Sequence, residues 1–506
     1  MACELNRNTV RVSGTVEKIA STYNISETLG SERQIFGVSE ILFSSADTVI
    51  SEKSSKAGLY TVAGYVVVNI AYAMGEDVIK NVVEKIPFEH IGECETEDSE
   101  IMCSARIKSF DVSEVRKSKI EVSIELAFDG FIFSGVDVCT SYDIVGVDQL
   151  CILKEKKEGV KLRTSSYGKN MEINFDTKEN NTAQVIFSHG RLEDISTVSS
   201  NAGIMFNAVL KQEVLYSVQS EDGGLSVKCV SREVGINQFL ESGAKNDYDD
   251  YVLNPYINST QSYFVYTNEG QSIVTDVKLS FELVSYKKIE IDVAKDMFSP
   301  SYELKLKNKT DSIIIDPKKQ STQASYMHKK NVRTREGVAK VVLSQEYVSY
   351  DCVPTKEAIK VNGKVHCEAL ILCEPNQSVE RFKVVFPFEH CTQSDVSPEN
   401  MLLNVSVLNC TYLIFNDEVT IDAKLQFDVF SIKPSLITST HEVETQEYES
   451  TDNSFVTLKM HYLQPEETLF DLAKQNRIMP EQILLANGYE KEEDLSVGDV
   501  VVIRDC

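Results

Sequence analysis

Val361-Asn362-Gly363-Lys364-Val365-His366-Cys367-Glu368-Ala369-Leu370-Ile371 alternates apolar and polar residues with a period of two, the mark of a strand buried on one face. Val361, Gly363, Val365, Cys367, Ala369 and Ile371 fall on one side; Asn362, Lys364, His366 and Glu368 fall on the other. The phrase recurs at 206–216 as FNAVLKQEVLY and at 62–72 as VAGYVVVNIAY. A second phrase follows each time: VSIELAFD at 122–129, TDVKLSFELV at 275–284 and IDAKLQFDV at 421–429. Its apolar positions in the last copy are Val419, Ile421, Ala423, Leu425 and Phe427. The tetrapeptide Pro-Phe-Glu-His stands at 87–90 and again at 387–390.

One-sided alternation of this kind predicts antiparallel sheets stacked into sandwich-like or open barrel-like domains, and the repeats predict three of them. The copies are placed at 1–148, 185–295 and 332–435, with a different module at 455–506. The middle copy diverges most, carrying Ala208 in place of the glycine and no Pro-Phe-Glu-His. Charged, turn-rich stretches separate the copies: Lys154 to Thr182, with KEKKEG and KENN, and Lys305 to Arg335, with KLKNKTD, DPKKQ and HKKNVRTREG. Both read as solvated linkers, with long ordered connections crossing between strands as the alternative. The polar stretch Thr438 to Ser454 reads as a flexible tether reaching about 20–25 Å.

Lys+Arg 51 against Asp+Glu 77 gives a net charge of −26, which disfavours nucleic acid and anionic membrane as partners. The N-terminus, Met1-Ala2-Cys3-Glu4-Leu5, has no basic start followed by an apolar run, so no signal peptide is expected. No run approaches the ~18–20 apolar residues that span a bilayer. Twelve cysteines lack paired short spacing, and Cys367 and Cys410 lie inside strand-like runs. Free thiols in a reducing, intracellular setting are the expectation.

No constellation calls for catalysis, a metal or a cofactor. His90 and His390 each follow a glutamate, but their equivalence across copies reports a structural turn rather than an acid–base pair. His366 and Cys367 point to opposite faces of one strand and do not converge on a metal. His441-Glu442 begins like a zinc-protease motif, and Thr445 stands where its second histidine belongs. The cluster Asp247-Tyr248-Asp249-Asp250 lacks the glycine and distal glutamate of a calcium loop. The basic island Lys329, Lys330, Arg333 and Arg335 reads as a solvated linker, or as a clasp for an acidic neighbour.

From Phe455 the pattern becomes strand, helix, helix, strand, a small α+β unit. Val456, Leu458 and Met460 alternate as a first strand; Thr468 is an N-cap with Asp471 three residues on. Leu469, Leu472 and Ala473 make the apolar stripe of a short helix. Pro480 opens a second helix, Ile483, Leu484 and Leu485 supply its buried side, and Asn487-Gly488 ends it. Ser496 to Asp499 turns the chain into a closing strand, Val500 to Ile503.

Gln464-Pro465-Glu466-Glu467-Thr468-Leu469, Leu472-Ala473, Ile483, Asn487, Leu495, Gly498 and Val502-Ile503 resemble the LysM domain. That family usually binds N-acetylglucosamine glycans in a shallow groove. The resemblance lines this groove with Pro465, Glu466, Glu467, Thr468, Leu469 and Phe470, and with Ala486, Asn487, Gly488 and Tyr489. Here Glu466-Glu467 replaces the usual Gly-Asp, and Glu490, Glu492, Glu493 and Asp494 follow, favouring a basic protein ligand over sugar. Repeats and tail together resemble the SPOCS-domain proteins of spore-forming clostridia, in which a V-x-G-x-V phrase precedes a Pro-Phe segment and a LysM domain closes the chain.

The resemblance implies a non-enzymatic scaffold in spore coat assembly, in the mother cell at the forespore surface. Its LysM domain would dock on a morphogenetic coat ATPase, among other coat proteins, chiefly through Glu466, Glu467, Phe470 and Tyr489. A peptidoglycan-binding protein of the cell wall or cortex is the alternative, and a hydrolase with an unrecognised site is a third.

Overall fold

In the computed structural model, each recurring phrase is the middle of one strand in a six-strand unit that occurs three times. The structure describes residues 5–504 except 30–37, 76–77, 95–98, 117–118, 148, 180–182, 201, 220–224, 242–247, 269, 333–337, 355–357, 374–377, 394–395, 416–417 and 449–457. Unit 1 comprises β1 (Leu5–Leu29), β2 (Glu40–Lys56), β3 (Leu59–Ala73), β4 (Ile79–Glu93), β5 (Glu100–Arg116) and β6 (Lys119–Ile144). Unit 2 comprises β7 (Cys151–Glu179), β8 (Ala183–Ser200), β9 (Gly203–Gln219), β10 (Leu225–Glu241), β11 (Asp250–Thr267) and β12 (Gly270–Phe298). Unit 3 comprises β13 (Tyr302–Asn331), β14 (Val338–Pro354), β15 (Ala358–Cys373), β16 (Ser378–Gln393), β17 (Met401–Phe415) and β18 (Glu418–Glu447). Each unit is a sandwich of two antiparallel three-stranded sheets, β2-β3-β4 over β1-β6-β5 in unit 1 and likewise in the others.

The two expected linkers are strands: Lys154 to Thr182 falls largely within β7, and Lys305 onward within β13. Their charges face solvent and find opposite charges on the neighbouring strand, directly across the ladder in Lys307–Glu442 (3.0 Å) and diagonally in Lys156–Glu290 (3.3 Å) and Lys329–Glu418 (2.8 Å). Such exposed pairs add little energy each, so the backbone ladder does most of the holding. Lys330 donates to the Lys383 carbonyl, while Arg333 and Arg335 lie outside the described residues. Asp249 and Asp250 are taken up by the Lys288 amide and the Tyr286 hydroxyl, at 2.6 and 2.8 Å; Asp247 lies outside the described residues. The expected tether is strand as far as Glu447, with 449–454 outside the described residues.

The first and last strands of each unit pair along their whole length, which joins the units at a common base. There β1 also meets β13 at Gly14, where any side chain would strike Val136 and the Ser312 carbonyl. Above the base, equivalent residues of the three units converge: Phe131, Val284 and Phe430, whose ladder partners are Met102, Val252 and Leu402. A second shared core gathers Leu42 and Phe43, Ile186 and Phe187, and Val342 and Leu343. Each set sits at a β-bulge at the same place in β2, β8 and β14, and the extra residue in each is the apolar Leu42, Ile186 or Val342. This convergence buries Leu370 to 1%, although its sequence position is on the polar side of the quoted strand.

Contacts run one way around the ring: β3 and β4 touch β8, β9 touches β14, and β15 and β16 touch β2. Ser44 N and Oγ donate to Glu368 of unit 3, and Cys229 of unit 2 donates to the Val342 carbonyl. A head-to-tail interface that closes after three units leaves no unit with an unmatched contact face.

Pro-Phe-Glu-His is a strand segment, which corrects the expected turn. Pro87 and Pro387 lie on the edge strands β4 and β16, where a missing N–H is tolerated. Phe88 and Phe388 turn inward against Phe128 and Phe427, ring centroids 5.6 and 5.9 Å apart. His90 stacks on Phe128 at 4.6 Å with Nε2 2.7 Å from Ser21 Oγ, and His390 stacks on Phe427 at 3.9 Å with Nε2 3.1 Å from Thr322 Oγ1. Each histidine thus latches one sheet of its sandwich to the other. The phenylalanines also explain the glycine of the repeat. A Cβ on Gly64 would lie 2.8 Å from Phe88 and 2.0 Å from the Val49 carbonyl; one on Gly363 would lie 2.4 Å from Phe388. In unit 2 the cross-strand pair is Ala208 with Ile236, so a shorter side chain leaves room for a methyl.

Gly363→Ala is expected to cost about 1–3 kcal/mol by overpacking against Phe388 and the Ser349 carbonyl, and adding Phe388→Ile, the unit-2 combination, to recover the side-chain share of it in a denaturant double-mutant cycle. Independent, additive losses would refute this steric pairing. Burial also holds both His90 and His390 below their ordinary 6.5. The neutral rings therefore contribute stability above the unfolded value that is lost as pH falls through it toward the folded one. Between about pH 7.5 and 5.5 the unfolding midpoint should drop through this term, and His390→Gln, which copies Gln238, should flatten the drop.

Candidate functional site

After unit 3 the chain forms β19 (Leu458–Tyr462), α1 (Leu469–Asn476), α2 (Pro480–Asn487) and β20 (Val500–Arg504), with β19 and β20 antiparallel. Its core is Leu469, Leu472, Ala473, Ile483, Val501 and Ile503. Leu485, expected on the buried side of α2, is 83% exposed because two residues beyond Ile483 the helix has turned about 200°, to its opposite face. Leu458, Met460 and Tyr462 of β19 face solvent as well.

Thr468 caps α1 as expected. Its hydroxyl accepts from the Asp471 amide at 3.1 Å, and Asp471 accepts from the Thr468 hydroxyl at 2.7 Å and from the Thr468 amide at 3.1 Å, contacts that hold the Asp471 carboxyl below its usual range. Gly488 ends α2 in the left-handed conformation at φ 74°, and Tyr489 N donates to the Leu484 carbonyl. Ser496 N donates to Asp499 in the turn before β20.

The ten groove residues fall into two sets. Pro465, Glu466, Glu467, Thr468 and Leu469 run along the loop into α1; Ala486, Asn487, Gly488 and Tyr489 close α2; Phe470 points elsewhere. Several of their polar groups are already committed. Glu467 Oε2 lies 2.6 Å from His461 Nε2 and accepts from Gln464 N, contacts that lower its pKa. Asn487 bridges α2 to β20, donating to the Ile483 and Val502 carbonyls at 2.8 Å and accepting from Val502 N at 2.7 Å. Glu492 accepts from the Leu469 amide, and Asp494 from Lys491 N. Glu466 is exposed, with backbone φ 69° in the region that glycine prefers.

Phe470 is 7% exposed because it packs edge-on against Phe298 at the end of β12, centroids 5.1 Å apart. Around it, Met479 receives the Cys151 thiol at 3.3 Å, Lys474 pairs with Asp296 at 2.5 Å, and Arg477 lies 3.7 Å over the Tyr448 ring. The module is therefore seated on the base of unit 2 through one side of α1 and the α1–α2 loop. No sequence signal announced Phe298 as a partner, since an apolar residue at a strand end reads equally as core.

Residues 461–504 match the LysM domain. No curated protein and no solved structure matches the chain. Among the described residues, no helix is long and apolar enough to cross a membrane. A LysM domain supports glycan binding or a protein adaptor role in general terms. In this one, the contacts that seat it are made by Phe470, Lys474, Arg477 and Met479.

A non-glycine residue in the left-handed region costs on the order of 1 kcal/mol. Glu466→Gly should therefore stabilise the LysM domain by about 0.5–1 kcal/mol, and Glu466→Val should destabilise it by more. Hydrogen exchange of the α1 amides reads both changes, and equal protection in the two variants would show the loop carries no backbone strain.

Proposed function

We propose that this chain is a non-enzymatic adaptor whose ring of β units holds a LysM domain in a fixed seat and presents its groove to a basic protein partner. The observation that carries this reading is the internal commitment of the groove's polar side chains. With Glu467, Thr468, Asn487, Glu492 and Asp494 already bonded inside the domain, few groups remain to meet sugar hydroxyls. What the domain exposes to solvent is the Glu466, Glu490 and Glu493 carboxylates and the apolar Leu485. A carboxylate rim with one apolar contact suits a lysine- or arginine-bearing protein surface.

The resemblance of the repeats to SPOCS-domain proteins supports a finer version: spore coat assembly at the forespore surface in the mother cell, with docking onto a morphogenetic coat ATPase. Several modest contacts on one chain would reinforce one another there through effective concentration. Peptidoglycan binding is the second reading. One feature favours it: the Glu466 backbone keeps the glycine-like path of the family's loop.

The test exposes the intact chain to peptidoglycan and, separately, to the purified coat ATPase. Salt-sensitive binding to the ATPase, uncompeted by N-acetylglucosamine oligomers and weakened by Glu466→Gln, is expected. Retention on peptidoglycan without ATPase binding would overturn the adaptor reading.

A further inference from the structure

Because the units are equivalent, the outer faces of β2-β3, β8-β9 and β14-β15 can be compared row by row from the shared bulge. Asp47 pairs with Val67 where unit 2 pairs Arg191 with Lys211 and unit 3 pairs Tyr347 with His366. One row along, Ser45 pairs with Asn69, His189 with Glu213, and Gln345 with Glu368.

Units 2 and 3 fill these rows with large side chains. Arg191 pairs with Glu193 at 2.5 Å and Lys211 with Glu213 at 3.5 Å. Tyr347 stacks on His366 at 4.4 Å, and Glu368 holds Arg381 and Lys383, each at 2.9 Å. Unit 1 carries only small residues there. The space left is a cavity of ≈ 1650 Å³ between units 1 and 2, closed on a third side by β17.

Two acceptors are left unmatched at that wall. Asp47 is an exposed residue that opens onto the cavity with no hydrogen-bond or ion-pair partner among the described residues, and partial loss of hydration raises its carboxyl above the ordinary value. Asn69 is 9% exposed and its Oδ1, itself buried, has no partner among the described residues, whereas Glu368, in the same row of unit 3, accepts from Ser44 N at 2.8 Å and holds two cations. Asp47 and Asn69 are diagonal neighbours on adjacent strands, about 7 Å apart. Glu52, Asp276 and Asp428 line other parts of the cavity together with Lys53, Lys85, Lys278 and Lys319. Asp276 accepts from the Tyr263 hydroxyl and Asp428 from Ser321 and Gln426, so of these three carboxylates only Glu52, like Asp47, has no partner among the described residues.

The missing element is therefore an organic cation rich in N–H donors, with several charges spaced along its length. We propose that the cavity between units 1 and 2 is a binding site for a linear polyamine, one ammonium of which pairs with Asp47 beside Asn69. The ligand occupies the place that Lys211 fills within unit 2.

Calorimetric titration of the intact chain with spermidine at physiological salt tests this. One saturable site is expected, weakened roughly 10-fold or more by Asp47→Asn. Val67→Lys, which places an ammonium group of the chain's own in the space, should abolish binding and raise the unfolding midpoint without ligand. Absence of saturable heat, or equal heat in wild type and both variants, would overturn the site and leave only diffuse attraction to a chain of charge −26. Should Asp47→Asn fail to fold, the Val67→Lys comparison and a spermidine-dependent rise in the wild-type midpoint decide the matter alone.

Discussion

Closure of the ring depends on three β-bulges. Without an extra residue in β2, β8 and β14, strict alternation would leave Leu42, Ile186 and Val342 no common place at the axis. With it, each unit sends one more apolar side chain into a core that none of them could enclose alone. The lower core of Phe131, Val284 and Phe430 repeats the arrangement with the long outer strands. The units are consequently held by shared burial, with polar links such as Ser44–Glu368 setting their register.

Equivalence at the axis leaves freedom away from it, and the three copies use that freedom as coordinated sets of residues. Gly64 with Phe88, Gly363 with Phe388, and Ala208 with Ile236 are three solutions to one steric problem across a single cross-strand pair. The histidine latches follow the same logic. Where unit 2 lacks the histidine, Tyr167 reaches across to the Glu241 carbonyl instead. On the outer faces, the copies fill their contact rows with an ion-pair set, an aromatic stack, or a cavity.

The LysM domain depends on the ring as well as on its own small core. Phe298, Cys151 and Asp296 all belong to the unit-2 end of the base, so the seat exists only because β7 and β12 run far beyond their sandwich. Within the domain, acidic residues that look like a negative rim in one dimension divide into two kinds. Some cap helices and turns, and others, Glu466 above all, face outward.

Alternation at period two made the strands of every unit legible, and Val419, Ile421, Ala423, Leu425 and Phe427 are all fully buried. The Thr468–Asp471 cap and the Asn487-Gly488 stop were equally readable, because capping depends on neighbours within one turn. The lysine-rich stretches in β7 and β13 were not, since a charged strand is stabilised by a partner strand far away in the chain, 89 residues distant even for the near pair Lys329–Glu418. Nor was Phe470, whose apolar ring would serve a partner's surface as well as its own chain's. Local periodicity and the three-fold recurrence by themselves determined that this is a repeated antiparallel β protein with a small α+β tail. Only the tertiary structure decided that the copies close into a ring, which leaves one contact row empty and gives the tail a seat. Closure depends on which side chains meet across distant strands, and that is a property of space rather than of spacing.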